Sequence, residues 1–262
     1  MTSQIKYIFC INTGRSGSKY LAEIFSHSVN CISLHEPEPK GNNRVMRRFL
    51  NGDVLPMQEL CELKFKAVQS ANTKSFYVET NHCFIKGWGW FIADHIPQNE
   101  IGVIVLHRNK KEIVTSLMRV LCSPLLKRGR DWMICPNIKA PFTQPPVRFK
   151  SVKLGYLLLR FIKMFFKRKP SSKKIWKFLP TSPDWICKYE EECCDWYVNE
   201  ISAMTTHYKR KFPDMRYYDV NIKDLNSIEG INKMLNYFGV SAETTINKVV
   251  NKKVNTKSRH KK

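Results

Sequence analysis

Short apolar runs alternate with helical patterns along the chain. Buried strands are predicted at residues 5–11, 31–34, 76–79, 102–107 and 215–220. Helical spacing of apolar residues is found near 20–25, 56–70, 88–95, 110–120, 190–211 and 228–238. This alternation is typical of an α/β fold with three layers. We therefore predict a mostly parallel sheet of about five strands, covered by helices on both faces.

A proline-rich stretch interrupts this pattern in the second half of the chain. Residues 123–184 contain eight prolines, and we interpret them as an insertion of irregular loops plus one helix. The chain as a whole, residues 1–262, has the size of a single domain. Residues 244–262 form a basic C-terminal tail after the last predicted helix.

The charge of the chain is concentrated in two segments. With 44 Lys and Arg against 22 Asp and Glu, the net charge is +22, which favours polyanionic partners such as nucleic acid, anionic lipid, acidic glycan or a multiply charged cofactor. Residues 147–180 carry eleven basic and no acidic residues, and residues 244–262 carry seven basic and no acidic residues. The remainder is nearly balanced, as in an ordinary soluble enzyme, and 43% hydrophobic residues exclude disorder over the whole length.

The cysteines and apolar runs bear on the compartment. Nine scattered cysteines without a CxxC pair indicate reduced thiols and no metal site. We find no signal peptide, and the longest later apolar run, residues 154–166, is short and contains Arg160 and Lys163. We expect a cytoplasmic protein without a transmembrane segment, with peripheral membrane contact as an alternative.

A glycine-rich loop after the first strand carries the main chemical signal. Residues 12–19 read NTGRSGSK and lie between a strand and a helix N-terminus, where unpaired N–H groups favour an anion. Gly14 and Gly17 allow the backbone to curl, Ser16 and Ser18 add hydroxyls, and Arg15 and Lys19 add charge. The spacing differs from the G-x-x-x-x-G-K-[ST] pattern of nucleoside triphosphatases. A simple turn that binds no ligand is the alternative interpretation.

A second motif follows the fourth strand. Arg108 leaves the strand at its C-terminal edge, and Ser116 lies eight residues later, about two helical turns along. A guanidinium and a hydroxyl at this spacing could both reach one phosphate. The strand is followed by His107-Arg108 and not by the metal-binding carboxylate of magnesium-dependent triphosphatases, which disfavours that chemistry.

With both motifs, the sequence resembles the sulfotransferases that use 3'-phosphoadenosine 5'-phosphosulfate (PAPS). The 5'-phosphosulfate loop of that family is similar to residues 14–20, from Gly14 to Tyr20, and its 3'-phosphate signature is similar to Arg108 with Ser116. Weaker similarity includes residues 212–218, residues 223–225, where the family often has Glu-Asp-Leu in place of Lys-Asp-Leu, and the tail around Lys257. The resemblance covers the chain except residues 123–184.

The resemblance implies the site roles. Sulfuryl transfer from PAPS to a hydroxyl or amine would use Arg15 on the leaving oxygen, and it needs no metal. The loop residues Gly14 to Tyr20, mainly Ser18 and Lys19, would hold the 5'-phosphate. Arg108 and Ser116 would hold the 3'-phosphate, and Lys257 in the tail would help to cover the 3'-phosphate.

Two residues are candidates for the general base that takes the acceptor proton. Glu36 follows the second strand in a His-Glu-Pro sequence that looks like the bacterial and tyrosyl-protein branches of the family, and we favour it. His82 follows the third strand, near the place where cytosolic members carry a catalytic histidine.

The acceptor and the basic insertion are less determined. Lys153, Arg160 and Lys167 recur every seven residues, which predicts a basic stripe on a helix. Residues 147–180 could contact an anionic membrane, or could form a core-packing helix with solvated lysines. If they line the acceptor site, an acidic glycan or a lipid headgroup is the natural acceptor. The competing functions are a P-loop kinase or triphosphatase and a nonenzymatic binder of membranes or nucleic acid, the latter disfavoured because the basic residues are confined to an insertion and a tail.

Overall fold

The computed structural model describes residues 4–167 and 184–250, and its centre is a parallel five-stranded sheet. The strand order is β2-β3-β1-β4-β5, and every pairing is parallel. The strands are β1 (Tyr7–Ile11), β2 (Cys31–His35), β3 (Phe76–Thr80), β4 (Ile101–His107) and β5 (Arg216–Asn221). The five predicted strands are thus confirmed, with bounds shifted by three residues or fewer.

Eight α-helices connect and cover the strands within the described residues. They are α1 (Ser18–Ser26), α2 (Asn43–Leu50), α3 (Leu55–Ala71), α4 (Lys110–Arg119), α5 (Lys127–Trp132), α6 (Phe149–Lys167), α7 (Asp184–Lys211) and α8 (Ile228–Tyr237). Short 3-10 helices include Trp88–Asp94 and Thr244–Lys248.

The helices form a layer on each face of the sheet, so the predicted three-layer α/β fold is confirmed. On one face, Ile8 and Cys10 of β1 pack with apolar residues of α1 and α8. On the other face, Phe9 and Ile11 pack with apolar residues of α3, α4 and α7. Alternate residues of a strand point to opposite faces, so one apolar strand serves both cores.

Several elements differ from the sequence prediction. The helix α2 was not predicted, because it is only eight residues long and three of them are arginines. The predicted helix near 88–95 is a 3-10 helix, and α7 begins at Asp184, earlier than the predicted 190. The last helix is confirmed: Ser227 caps its N-terminus, and Gly239 follows its end with a φ of +76°.

The insertion and the tail are described only in part. Residues 123–167 contain two helices, α5 and α6, where one was predicted, because six residues are too few for α5 to show an apolar period. Within the described part of the predicted tail, residues 244–250, Ile246 and Val249 are buried in the core beside α1. Lys257 lies outside the described residues. None of the helices in the described ranges is long and apolar enough to cross a bilayer.

The topology places a crevice at the C-terminal ends of β1 and β4. In the strand order, the connection from β1 leads toward the edge strand β2, whereas the connection from β4 leads toward the opposite edge strand, β5. Ligands of open parallel sheets bind where neighbouring connections diverge in this way. The predicted glycine-rich loop follows β1 and the predicted arginine follows β4, so both lie at this crevice.

Candidate active site

The loop between β1 and α1 is folded around a buried asparagine. The side-chain oxygen of Asn12 accepts hydrogen bonds from the backbone N–H of Gly14 at 2.8 Å and from the hydroxyl of Ser16 at 3.4 Å. Gly14, Arg15 and Gly17 have positive φ angles of 72°, 59° and 103°. Backbone N–H groups in such a turn form a concavity that attracts anions.

The first turn of α1 adds to this anion site. Gly17 is the N-cap residue and has no side chain to accept hydrogen bonds from the first-turn N–H groups. Those groups therefore remain as donors at the positive end of the helix dipole. Arg15 and Lys19 are exposed beside them, and Ser18 is buried at the helix start.

The two predicted motifs are joined by hydrogen bonds. Arg108 donates from Nη1 to the backbone carbonyl of Arg15 at 2.9 Å, and Arg15 donates from Nε to the hydroxyl of Ser116 at 3.1 Å. Arg108 also donates from Nε to Glu112, one turn into α4, at 2.8 Å. The loop after β1 and the helix after β4 therefore form one cationic unit.

A cavity of about 220 Å3 opens beside the loop. Its lining includes Arg15, Lys19 and Arg128 as cations, and Glu36 is the one carboxylate among the described lining residues. Apolar residues of α4 and α5 form the facing wall. A cavity of this kind favours an anion, and Glu36, His35 and His82 are the groups on its wall that can accept a proton.

Glu36 and His82 lie side by side in this cavity. They follow the neighbouring strands β2 and β3, and Oε1 of Glu36 is 3.5 Å from Nε2 of His82. Glu36 has a φ of +51°, a left-handed conformation that costs about 1–3 kcal/mol in a residue other than glycine. Strain of this kind is concentrated at active sites. The two candidate bases are thus one pair and not independent alternatives.

A lysine that the sequence analysis missed lies behind this pair. Lys86 is fully buried, and its ammonium group contacts Nδ1 of His82, the carbonyl of Trp132 at 2.6 Å and the hydroxyl of Tyr197 at 3.2 Å. An ammonium has three protons, and each finds one of these acceptors. The Tyr197 hydroxyl in turn donates to the carbonyl of Thr13, in the loop, at 2.6 Å.

This contact sets the protonation state of His82. Because an ammonium can only donate, Nδ1 of His82 accepts, and the ring proton lies on Nε2, facing Glu36. Burial, together with the positive charge of Lys86, lowers the pKa of His82 well below its usual value. His82 is therefore neutral at pH 7, with its lone pair occupied, and Glu36 is the group of the pair that is free to accept a proton.

A second buried network holds the backbone next to Glu36. Lys64 of α3 donates to Glu79 of β3 at 2.9 Å and to the carbonyl of Pro37 at 3.0 Å. The hydroxyl of Tyr77 donates to the other oxygen of Glu79 at 2.8 Å. The Lys64 and Glu79 side chains are 1% and 0% exposed. This ion pair ties α3 and β3 to the turn that carries Glu36.

Four of the predicted residues that the structure describes do not line this cavity: Ser16, Tyr20, Arg108 and Ser116. Ser16 is fully buried and serves the turn through Asn12, and the Tyr20 side chain is in the core, where its hydroxyl donates to the carbonyl of Leu225 at 2.8 Å. The prediction that their side chains bind a cofactor is therefore not supported by their positions. Arg108 lines a neighbouring cavity of about 220 Å3, which also contains Thr13.

Lys86 and Lys64 could have been suspected from their sequence context. Lys86 is a single cation in the largely apolar stretch CFIKGWGW, and it lies four residues after His82. Lys64 occupies an inward position of α3 between Cys61 and Val68, which are both buried. A lysine at a core position needs buried acceptors, but the sequence does not say which.

No group of three or more metal-ligating side chains is assembled anywhere in residues 4–167 and 184–250. Comparisons with protein-family models, with curated proteins and with solved structures find no match to this chain. The function of the cavity is therefore argued from its geometry and chemistry.

Proposed function

We propose that this protein is a sulfotransferase that moves a sulfuryl group from PAPS to a hydroxyl or amine of an acceptor. The observation that carries the proposal is the joining of two motifs: Arg15 in the loop after β1 is bonded to both Arg108 and Ser116 after β4. Arg15 also lines the cavity that contains Glu36, the one carboxylate among its described lining residues.

The residues present fit a bisphosphorylated nucleotide. The first turn of α1 and Lys19 would hold the 5'-phosphate, and Arg108 with Ser116 would hold the 3'-phosphate. Charge-assisted hydrogen bonds of these kinds are the strong ones in anion sites. When bound, PAPS supplies a sulfuryl group on a phosphate oxygen that is a good leaving group.

The side chains of the cavity divide the remaining work. Arg15 and Lys19 neutralise the negative charge that develops on the leaving oxygen. Glu36 takes the proton of the acceptor hydroxyl or amine, and the Nε2–H of His82 orients the Glu36 carboxylate. Lys86 keeps His82 in the tautomer that this task requires.

Calorimetric titration with 3'-phosphoadenosine 5'-phosphate, with ATP as the comparison, tests the nucleotide site. We expect the bisphosphate to bind and ATP, which has no 3'-phosphate, to bind at least about tenfold more weakly. Arg108→Ala should weaken bisphosphate binding about 10- to 100-fold, the loss expected for a hydrogen bond to a charged group. Arg119→Ala, which removes an exposed arginine at the far end of α4, the helix that follows Arg108, is the matched control.

Failure of the wild type to bind the bisphosphate, or unchanged binding in Arg108→Ala, would remove the proposal. Preferential binding of ATP would favour a P-loop kinase or triphosphatase instead. For the base, single-turnover transfer by Glu36→Gln should fall by a factor of about 100 or more. Full activity of that variant would exclude Glu36.

A further inference from the structure

We infer that the acceptor is an acidic oligosaccharide, and that an anionic unit next to its reacting sugar binds in a basic cavity on the far side of α5. This inference rests on the proposed function and assigns its substrate class. The basic cavity measures about 410 Å3. It is larger than the cavity of about 220 Å3 that contains Glu36 and His82, which we call the reaction cavity.

The basic cavity collects charge from three helices. Arg47 of α2, Lys127 and Arg130 of α5, and Lys153 of α6 line it, with Asp131 as the one carboxylate among the described lining residues. Asp131 is paired with Arg47 at 2.6 Å. The other three cations have no carboxylate partner within the described residues.

The helix α5 places this cavity next to the reaction cavity. Arg128 and Trp132 of the helix line the reaction cavity, Lys127 and Arg130 line the basic cavity, and Met133 lines both. One helix with its side chains is about 10 Å across, which sets the approximate separation of the two cavities. A chain molecule can therefore place a hydroxyl near Glu36 and a negative group among the lysines at the same time.

The lining of the basic cavity favours a carbohydrate over a membrane surface. The cations stand around a concavity that a ligand must enter, whereas a bilayer presents its charge on a broad surface. Asn51 and Asn137 also line the cavity, and amide groups donate to and accept from sugar hydroxyls. Carboxylate or sulfate groups on sugars combine the required charge with hydroxyls.

Direct binding of defined probes tests the inference without sulfuryl transfer. The probes are a galacturonate tetramer, the uncharged galactose tetramer of the same linkage, and phosphatidylglycerol vesicles. We expect the galacturonate tetramer to bind the wild-type protein, and the galactose tetramer to bind at least about tenfold more weakly. Added salt should weaken the difference, because ions screen exposed charges.

A pair of charge reversals locates the site. Lys127→Glu/Lys153→Glu should weaken galacturonate binding by about tenfold or more. Lys74→Glu/Lys233→Glu makes the same change of net charge at two exposed positions, one just before β3 and one on α8. Galacturonate binding by this control variant should stay within about twofold of wild type. The milder Lys127→Gln/Lys153→Gln variant should show a smaller loss, and circular dichroism of each variant checks the fold.

Three results would overturn the inference: equal binding of the two tetramers, equal losses in both double reversals, or vesicle binding that depends on Lys127 and Lys153 while the tetramer does not bind. Titration of the same samples with 3'-phosphoadenosine 5'-phosphate distinguishes a failure of this inference from a failure of the proposed function. Tetramer binding without bisphosphate binding would remove the sulfotransferase proposal and keep the basic cavity as a binding site. The reverse pattern would keep the proposal and remove the acidic acceptor.

Discussion

The buried ion pair between Lys64 and Glu79 allows a quantitative test of how the turn carrying Glu36 is held. In Glu79→Gln the shape of the side chain is kept and its charge is removed. Both members of the pair are almost completely buried, so the Lys64 ammonium would be left without a counterion. Removal of one partner of such a pair costs about 3–5 kcal/mol, mostly from the charge left in the core.

The expected change in melting temperature follows from the length of the chain. At about 2.1 cal/mol/K of unfolding entropy per residue, a chain of 262 residues has an unfolding entropy of about 0.55 kcal/mol/K. A loss of 3–5 kcal/mol then lowers the melting temperature by about 5–9 °C. Thermal and urea denaturation at pH 7, followed by circular dichroism, measure the change.

Two further variants separate charge from packing. In Lys64→Met/Glu79→Gln the stranded cation is gone, and the remaining cost is about 1–3 kcal/mol for the unsatisfied carbonyl of Pro37. The double variant should therefore be more stable than Glu79→Gln. Glu62→Gln, an exposed carboxylate on the same helix, should change stability by less than about 0.5 kcal/mol. The reasoning is refuted if Glu79→Gln loses less than about 1 kcal/mol or if the double variant is less stable than the single one.

Three predictions concern the loop and the pair beside it. Lys86→Met should lower kcat of the proposed transfer by about tenfold or more, because His82 would no longer be held with its ring proton on Nε2, facing Glu36; an unchanged kcat would contradict this role. The pKa of His82 is lowered in the folded protein, so the unfolded state binds more protons below about pH 6.5. As the pH decreases below that value, the free energy of unfolding should decrease by up to about 1.4 kcal/mol per pH unit. Urea denaturation of His82→Gln should lack that share of the slope, and equal slopes in both proteins would count against it. Gly17→Ala should lose about 1–2 kcal/mol of stability from the positive φ alone, and more because the new Cβ would lie 2.5 Å from Cδ1 of Ile222. Thermal denaturation of Gly17→Ala and of Gly17→Ala/Ile222→Ala separates the two costs. Wild-type stability of Gly17→Ala would refute both.

The sheet was predictable because its strands are short and apolar on both faces. Residues 101–107, for example, read IGVIVLH, and six of the seven are buried. Such runs signal a parallel strand covered on both sides. Their C-terminal ends also identify the site, because every parallel strand ends at the same edge. The loop after β1 and the arginine after β4 could therefore be placed together without coordinates.

The sequence could not show which buried polar side chains are hydrogen-bond partners of one another. The helix α2 has apolar residues at helical spacing that pack against the core, Val45, Met46, Phe49 and Leu50, but eight residues with three arginines are too short a pattern to distinguish from a loop. The contact of Lys86 with His82 joins residues four apart, but its other acceptors, Trp132 and Tyr197, come from distant parts of the chain. Long-range hydrogen bonds of buried polar groups depend on tertiary packing and leave no local pattern.

In the proposed reaction, Glu36 and His82 have different roles and are not two alternatives for one role. A histidine acts as a base only through an unprotonated ring nitrogen, and the one such nitrogen of His82 is bonded to Lys86. Its other nitrogen carries the proton and faces Glu36 at 3.5 Å. Because Tyr197 links the same lysine to the carbonyl of Thr13, the network that orients the Glu36 carboxylate also contacts the loop that would bind the donor. If the proposed donor binds and shifts this loop, the shift would reach Glu36 through the contacts of Thr13, Tyr197, Lys86 and His82 in turn.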